Sequence, residues 1–133
     1  MNKKAILIVD DEAIILYSLK QEISDYFENR FHYEIALNAV EAFKIIDELA
    51  KKNIELILII SDYLMPGMKG DEFLLKVYEK YKSINTILIT GQADPDSINH
   101  LKVEINLGAV VNKPWDKDEL IQEIEKQVKD FES

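Results

Sequence analysis

The segment LILIISDYLMPGMKG, residues 56–70, joins an unbroken apolar run to an aspartate and a turn that contains proline and glycine. Residues Leu56–Ser61 show no alternation of polar and apolar side chains, which predicts a strand buried on both faces, as in a parallel sheet. Asp62 follows at the carboxyl end of that strand, and Gly67 and Gly70 suit the turn after it. The segment therefore predicts a central strand with a carboxylate at its tip.

Similar apolar runs recur along the chain and alternate with helical patterns. The predicted strands are Ala5–Val9, Tyr33–Ala36, Leu56–Ser61, Thr86–Ile89 and Ala109–Val111. Apolar stripes predict helices over Ile15–Phe27 (with Tyr26 in the stripe), Ala39–Leu49, Phe73–Tyr81 and Leu120–Phe131. Asp94-Pro95 predicts the start of a further helix that ends near Gly108, and Asp116 with Glu119 resembles a capping box. This alternation predicts one α/β domain over residues 1–133, with a parallel sheet covered by helices on both faces.

Composition excludes several classes of protein. The chain has no cysteine, so a disulfide framework and a thiolate metal site are both impossible. No apolar run approaches the roughly 20 residues needed to span a bilayer, and the amino terminus does not resemble a secretory signal. The net charge of −9 disfavours direct binding to nucleic acid, because contacts to phosphates depend on Lys and Arg. We expect a cytoplasmic protein with a metal or protein partner, either complete or part of a longer chain.

Polar residues follow four of the predicted strands. Asp10-Asp11 ends the first, Asp62 the third and Thr90 the fourth, and Lys113 follows the fifth almost directly. Ligands of open parallel sheets bind beyond the carboxyl ends of the strands, so these side chains are expected to meet there. Taken singly, each has a commoner structural role: the Asp pair as a helix cap, Thr90 as a turn hydroxyl, Lys113 as a solvated lysine. Their joint placement favours a site.

Three carboxylates brought together raise one another's pKa unless a cation neutralises them. Mg²⁺ suits this role because it takes oxygen ligands and needs only one or two carboxylates from the protein. Asp11 and Asp62 are candidates for direct ligands, the backbone carbonyl of Leu64 for a third, and Asp10 for orienting a metal-bound water. The cation of Lys113 and a hydroxyl nearby suit the oxygens of an incoming phosphoryl group.

At these residues the chain resembles the receiver domains of two-component signalling, and the resemblance covers essentially the whole sequence. The matching stretches are LIVDDE (7–12), SDYLMPGMKGDEF (61–73), ILITG (87–91) and NKPW (112–115). The resemblance implies a flavodoxin-like fold with strand order 2-1-3-4-5 and a cis peptide bond between Lys113 and Pro114. It also implies a signalling phosphoacceptor that catalyses only its own phosphorylation and dephosphorylation, rather than an enzyme acting on other substrates.

The site residues carry over by position. The resemblance makes Asp62 the phosphoacceptor, Asp10 and Asp11 the acidic metal pair, Thr90 the switch hydroxyl and Lys113 the phosphate-pairing lysine. The expected cofactor is Mg²⁺, with Mn²⁺ as a substitute. The expected phosphodonor is a histidine kinase or phosphotransfer protein, or a small donor such as acetyl phosphate.

Output in such domains uses the face of the fourth helix, fifth strand and fifth helix, here residues 94–108, 109–111 and 116–131. The sequence departs from the family at Val110, where an aromatic switch residue is usual, and at Gly91, where Ala or Ser is common and glycine loosens the loop. The stretches 88–94 and 113–116 also resemble receivers fused to cyclic-dinucleotide phosphodiesterases or related enzymes. We expect Trp115 to border the site, and Leu64 and Gln92 to border the path of attacking water.

Two alternatives use the same residues. A phosphohydrolase of the haloacid-dehalogenase type also has an aspartate nucleophile after a buried strand, but it needs a second acid two residues later, where this chain has Leu64. A receiver-shaped interaction module that is never phosphorylated usually lacks an acidic residue or the lysine, and this chain retains them. Nucleotide-binding glycine loops are missing from the sequence.

Overall fold

The computed structural model of the chain describes residues 3–91, 95–105 and 107–131. The strands are β1 (Lys4–Val9), β2 (His32–Ala36), β3 (Glu55–Asp62), β4 (Asn85–Thr90) and β5 (Leu107–Asn112). The α-helices are α1 (Ala13–Phe27), α2 (Ala39–Lys51), α3 (Gly70–Lys80), α4 (Pro95–Glu104) and α5 (Lys117–Val128), with short 3-10 turns at Glu28–Arg30 and Lys129–Phe131.

The strands form one parallel sheet in the order β2-β1-β3-β4-β5, which confirms the predicted topology. Alternate residues along a strand point to opposite faces of the sheet, and a separate hydrophobic core lies on each face. In β1, Ile6 and Ile8 pack with α1 and α5, whereas Leu7 and Val9 pack with α2, α3 and α4. Both faces of the sheet are covered, which is why its strands are continuously apolar.

Side chains cap two of the helices at their amino termini. Asn38 Oδ1 accepts a hydrogen bond from the Glu41 backbone N–H, and Asp116 Oδ1 accepts one from that of Glu119. The second contact matches the capping signal predicted from the sequence. Asp94, the predicted cap of α4, lies outside the described residues.

Two sequence predictions are wrong. The helix that begins at Pro95 ends at Glu104 rather than near Gly108. The side chain of Ile105 is buried in the core, and the chain then forms a strand in which Leu107 pairs with Thr86 on β4. Gly108 consequently lies inside β5. The sequence pattern predicts Tyr26 on the buried stripe of α1, but Tyr26 is 51% exposed and its ring makes a T-shaped contact with Phe27.

Among the described residues, none of the helices has the length and apolar character required to cross a bilayer.

Candidate functional site

The carboxylates predicted for the site come together at the carboxyl end of the sheet. Val9 pairs with Ser61 across β1 and β3, so the next residues, Asp10 and Asp62, lie side by side. Each of Asp10, Asp11 and Asp62 offers an oxygen, and these three oxygens lie within 4.8 Å of one another. Asp10 and Asp62 are buried, whereas Asp11 is exposed. The arrangement is a buried acidic pair with a third carboxylate facing solvent.

Lys113 follows β5, the strand at one edge of the sheet, and its side chain reaches this cluster. Its backbone N–H donates to the Thr90 carbonyl at 3.0 Å, which extends the β4–β5 pairing by one residue. Its Nζ then lies 3.0 Å from Asp10 Oδ2 and 3.2 Å from Asp62 Oδ1. The bond between Lys113 and Pro114 is cis, as predicted. The lysine therefore bridges the two buried carboxylates with one positive charge.

One positive charge does not balance the cluster. The pKa of Asp62 is raised above its ordinary value, first by burial and then by the charge of Asp10, and Lys113 only partly opposes these effects. Burial lowers the pKa of Lys113, but its hydrogen bonds and ion pairs with Asp10 and Asp62 outweigh burial, and the net shift is upward. The site favours a fixed ammonium and still carries excess negative charge.

A backbone hydrogen bond holds the Asp10 carboxylate, and the backbone that follows Asp62 is closely packed. Asp10 Oδ1 accepts a hydrogen bond from the Glu12 N–H at 2.9 Å, so one oxygen orders the start of α1 while the other meets Lys113. The backbone after Asp62 passes close to Gly70: a Cβ on that glycine would lie 2.2 Å from the Asp62 carbonyl oxygen. Gly70 is therefore required by the path of the loop that follows β3.

A shallow cavity of about 310 Å³ opens above the cluster. It is lined by Asp11, Glu12, Asp62, Leu64, Thr90, Gly91 and Lys113. Of the lining residues, Thr90 at the end of β4 is 3% exposed and Leu64 is 45% exposed. The cavity is wide enough for a phosphoryl-sized group, and a carboxylate, an ammonium and a hydroxyl-bearing residue all border it.

Most of the sequence-predicted site residues thus lie together. Asp11, Asp62, Leu64, Thr90 and Lys113 line the cavity, and the buried carboxylate of Asp10 meets Lys113 beside it.

Three further placements bear on the predictions. Trp115 was expected to border the cavity, but it does not line it; the partly buried Trp115 packs against the core on the α1 and α5 face of the sheet. Val110 is half-buried against the core on the other face of the sheet. Glu12 lines the cavity although it was not predicted, and its position directly after the aspartate pair was the available signal. Gln92 lies outside the described residues.

The donor set of the cluster fits Mg²⁺. The oxygens of Asp10, Asp11 and Asp62 are hard ligands of the kind that Mg²⁺ takes, and a divalent cation would neutralise the negative charge that one lysine leaves uncompensated. Receiver domains bind Mg²⁺ at an acidic aspartate cluster of this kind.

Known proteins resemble this chain in sequence and in fold. Sporulation initiation phosphotransferase F of Bacillus subtilis is 31% identical over 128 residues, which are 95% of this chain and 94% of that protein. The hydrogenase transcriptional regulatory protein HoxA of Cupriavidus necator is 29% identical over 92% of this chain, and the chain spans only 24% of its length. The solved signal receiver domain of an HD domain-containing protein from Pseudomonas fluorescens Pf-5 superposes with a TM-score of 0.84, at 27% identity over 97% of each chain.

A sequence model of the response regulator receiver domain matches residues 6–125, which include every strand tip of the cavity. Members of this family act in two-component signalling rather than as conventional enzymes. With its parallel five-stranded sheet and its cluster of three aspartates and one lysine, the chain belongs to the response regulator receiver domain family.

Proposed function

We propose that this chain is a phosphorylation-dependent receiver that accepts a phosphoryl group on Asp62 in a Mg²⁺-dependent reaction and then changes its partner-binding surface. One observation carries the proposal: Asp62 ends the central strand at the floor of an open cavity, with Lys113 Nζ 3.2 Å from its Oδ1 and the carboxylates of Asp10 and Asp11 beside it. That environment suits an acidic nucleophile whose product is also an anion.

The metal would be held by the carboxylates of Asp11 and Asp62 and by the backbone carbonyl of Leu64. Asp10 would orient a water of the metal's shell, and Mn²⁺ would serve in place of Mg²⁺. When bound, the cation neutralises negative charge on the carboxylates and on the phosphoryl oxygens.

The residues of the chain perform the transfer itself. A carboxylate oxygen of Asp62 forms a bond to phosphorus while the bond from phosphorus to the donor breaks, and the donor leaves with the electron pair. The donor atom is the imidazole nitrogen of a phosphohistidine or the acyl oxygen of acetyl phosphate. Lys113 pairs with a phosphoryl oxygen, and Thr90 offers its hydroxyl to another. Catalysis is mainly positioning and charge neutralisation.

Exposed apolar side chains at the start of α1 and on the cavity lining support a protein phosphodonor. Ile14 and Tyr17, on the first turns of α1, are 83% and 61% exposed, and Leu64 at the rim is 45% exposed. A small phosphodonor needs no such surface, whereas a helix that presents a phosphohistidine would bury it. The proposed protein donor is a histidine kinase or phosphotransfer protein, and acetyl phosphate is the small alternative. The proposed location is the cytoplasm.

The signal leaves through the face formed by α4, β5 and α5 and binds an output protein or domain. Phosphorylation adds negative charge beside Thr90 and Lys113, at the ends of β4 and β5, and biases a pre-existing equilibrium. Because Val110 on β5 has no aromatic ring to reorient, we propose that it serves only in packing and that the signal passes through the loop after Thr90; the alternative is another switching route.

Intact-mass measurement tests the proposal. The chain is incubated with acetyl phosphate and Mg²⁺, and parallel samples contain EDTA or the variant Asp62→Asn. We expect one added phosphoryl group in the wild type with Mg²⁺ and none in either control. A wild type that stays unmodified, and is also refractory to histidine kinases, would instead favour an interaction module that is never phosphorylated.

A further inference from the structure

A hydrogen bond outside the cavity joins α1 to the segment between β5 and α5. The indole Nε1 of Trp115 donates to Glu22 Oε2 at 2.7 Å, and both side chains are half-buried. The two residues are 93 positions apart in the chain. Trp115 is the only tryptophan in the sequence, so tryptophan emission reports the surroundings of this one indole.

The segment that carries Trp115 is anchored at both ends. Lys113 is held by its backbone bond to the Thr90 carbonyl and by its ammonium contacts in the site. Asp116 accepts a hydrogen bond from Glu119 N at 3.0 Å and so begins α5. Trp115 lies between these anchors in the chain, and it packs against the core on the α1 and α5 face of the sheet. Only Pro114 separates Trp115 from Lys113, so we expect a shift of the Trp115 backbone to reach the backbone from which Lys113 extends.

Glu22 belongs to a helix that starts at the acidic cluster. The Glu12 N–H donates to Asp10 Oδ1, α1 begins at Ala13, and Glu22 lies on its third turn. Lys113 and Asp10 are thus joined twice: directly by their ion pair at 3.0 Å, and indirectly through Trp115, Glu22 and the body of α1. The second connection remains when an incoming phosphoryl group competes for the lysine.

We propose that Glu22 is a positioning residue for Lys113. By accepting the indole N–H, Glu22 holds Trp115 against α1 and fixes the base of the lysine that pairs with the phosphoryl group. The inference rests on the proposed phosphorylation of Asp62. Without Glu22, the half-buried indole N–H turns toward water, the backbone beside it follows, and Lys113 Nζ loses its alignment.

The chain offers a conservative variant and a matched control. Glu22→Gln keeps an oxygen acceptor for the indole, whereas Glu22→Ala removes it. Asp25→Ala removes the same charge from the same helix, but Asp25 contacts Gln21 at the surface, at 2.7 Å, rather than the tryptophan. Trp115→Phe removes the donor while keeping an aromatic ring in the core.

The experiment measures Trp115 emission and the rate of phosphorylation by acetyl phosphate over a range of Mg²⁺ concentrations. For Glu22→Ala we expect a changed emission maximum and a maximal rate lower by about threefold to tenfold, because small misplacements of a catalytic group can cost up to about 100-fold. The Mg²⁺ concentration for half-maximal rate stays unchanged, because the proposed ligands are untouched. Glu22→Gln and Asp25→Ala keep rates within about twofold of the wild type.

The double variant Glu22→Ala, Trp115→Phe should be no slower than Trp115→Phe alone, because the two residues act through one bond. If Glu22→Ala does not fold, Trp115→Phe alone must show the lowered maximal rate. A fall in thermal stability with an unchanged maximal rate would overturn the positioning role. A wild type that takes no phosphoryl group contradicts the proposed function itself, whereas a phosphorylated wild type matched by Glu22→Ala contradicts only this inference.

Discussion

Replacing Lys113 by methionine removes the ammonium that lies 3.0 Å from Asp10 Oδ2 and 3.2 Å from Asp62 Oδ1. At an effective dielectric constant of about 20, a unit charge at these distances attracts each carboxylate by about 5 kcal/mol. The Lys113 side chain is 18% exposed, so solvent screens this attraction only weakly. Part of the attraction offsets the cost of burying the ammonium. We therefore expect the free energy of unfolding to fall by about 3–5 kcal/mol at pH 7 without metal, the usual effect of breaking a buried pair.

Urea denaturation followed by the emission of the single tryptophan measures this loss. Mg²⁺ at 100 times its Kd should raise the variant's own free energy of unfolding by about 2.7 kcal/mol, because a ligand stabilises the state that binds it. Lys44→Met, at an exposed position on α2, is the matched control and should change stability by less than about 0.5 kcal/mol. A loss below about 1 kcal/mol for Lys113→Met would refute the argument that this lysine neutralises the buried pair.

Three further predictions test other parts of the structure. Gly70→Ala should lose about 1–3 kcal/mol of stability, because the new Cβ would lie 2.2 Å from the Asp62 carbonyl oxygen. Gly91→Ala should gain about 0.4–1 kcal/mol, because the nearest atom to its Cβ would be 3.7 Å away. Urea denaturation measures both changes. In EDTA, the stability of the native protein should fall as pH rises from about 4 through the raised pKa of Asp62, because the folded state binds more protons than the unfolded state in that window. Thermal unfolding measures this, and the dependence of stability on pH should be flatter for Asp62→Asn. Ile14→Lys should slow transfer from a phosphorylated histidine kinase by about tenfold and leave the rate with acetyl phosphate within about twofold, whereas Tyr26→Lys, at the other end of α1, should affect neither.

Each of these predictions has a contrary outcome. Equal stabilities for the two glycine variants would mean that the loop after β3 does not approach Gly70 closely. Stability that rises with pH over the stated window would contradict the upward pKa shift of Asp62. If acetyl phosphate also phosphorylated Ile14→Lys more slowly, Ile14 would matter for the structure of the domain rather than for contact with a protein phosphodonor.

The alternation of strands and helices was predictable because the sheet is parallel and covered on both faces. A run such as Leu56–Ile60 then needs no polar residue, and periodicity separates it from the amphipathic helices. The boundary between α4 and β5 was not predictable from the same signals. Gly108 resembles a residue that ends a helix, but the pairing of Leu107 with Thr86 places it in a strand. Local patterns do not contain this long-range pairing.

The candidate site could be predicted because its parts lie at the tips of strands. Asp10, Asp62 and Lys113 are far apart in sequence, yet parallel strands bring their carboxyl ends to one edge of the sheet. The side chain of Trp115 could not be placed in this way. Its position depends on how α1 and α5 pack, and its partner Glu22 is 93 residues away with no strand to set the distance.

The central claim is that Asp62 receives the phosphoryl group, and locating the modified residue tests it most directly. Borohydride reduces an aspartyl phosphate to homoserine, and peptide mass spectrometry then identifies the converted position. After incubation with acetyl phosphate and Mg²⁺, we predict conversion at residue 62 and none in EDTA. Conversion at Asp10 or Asp11, with Asp62 unchanged, would contradict the account.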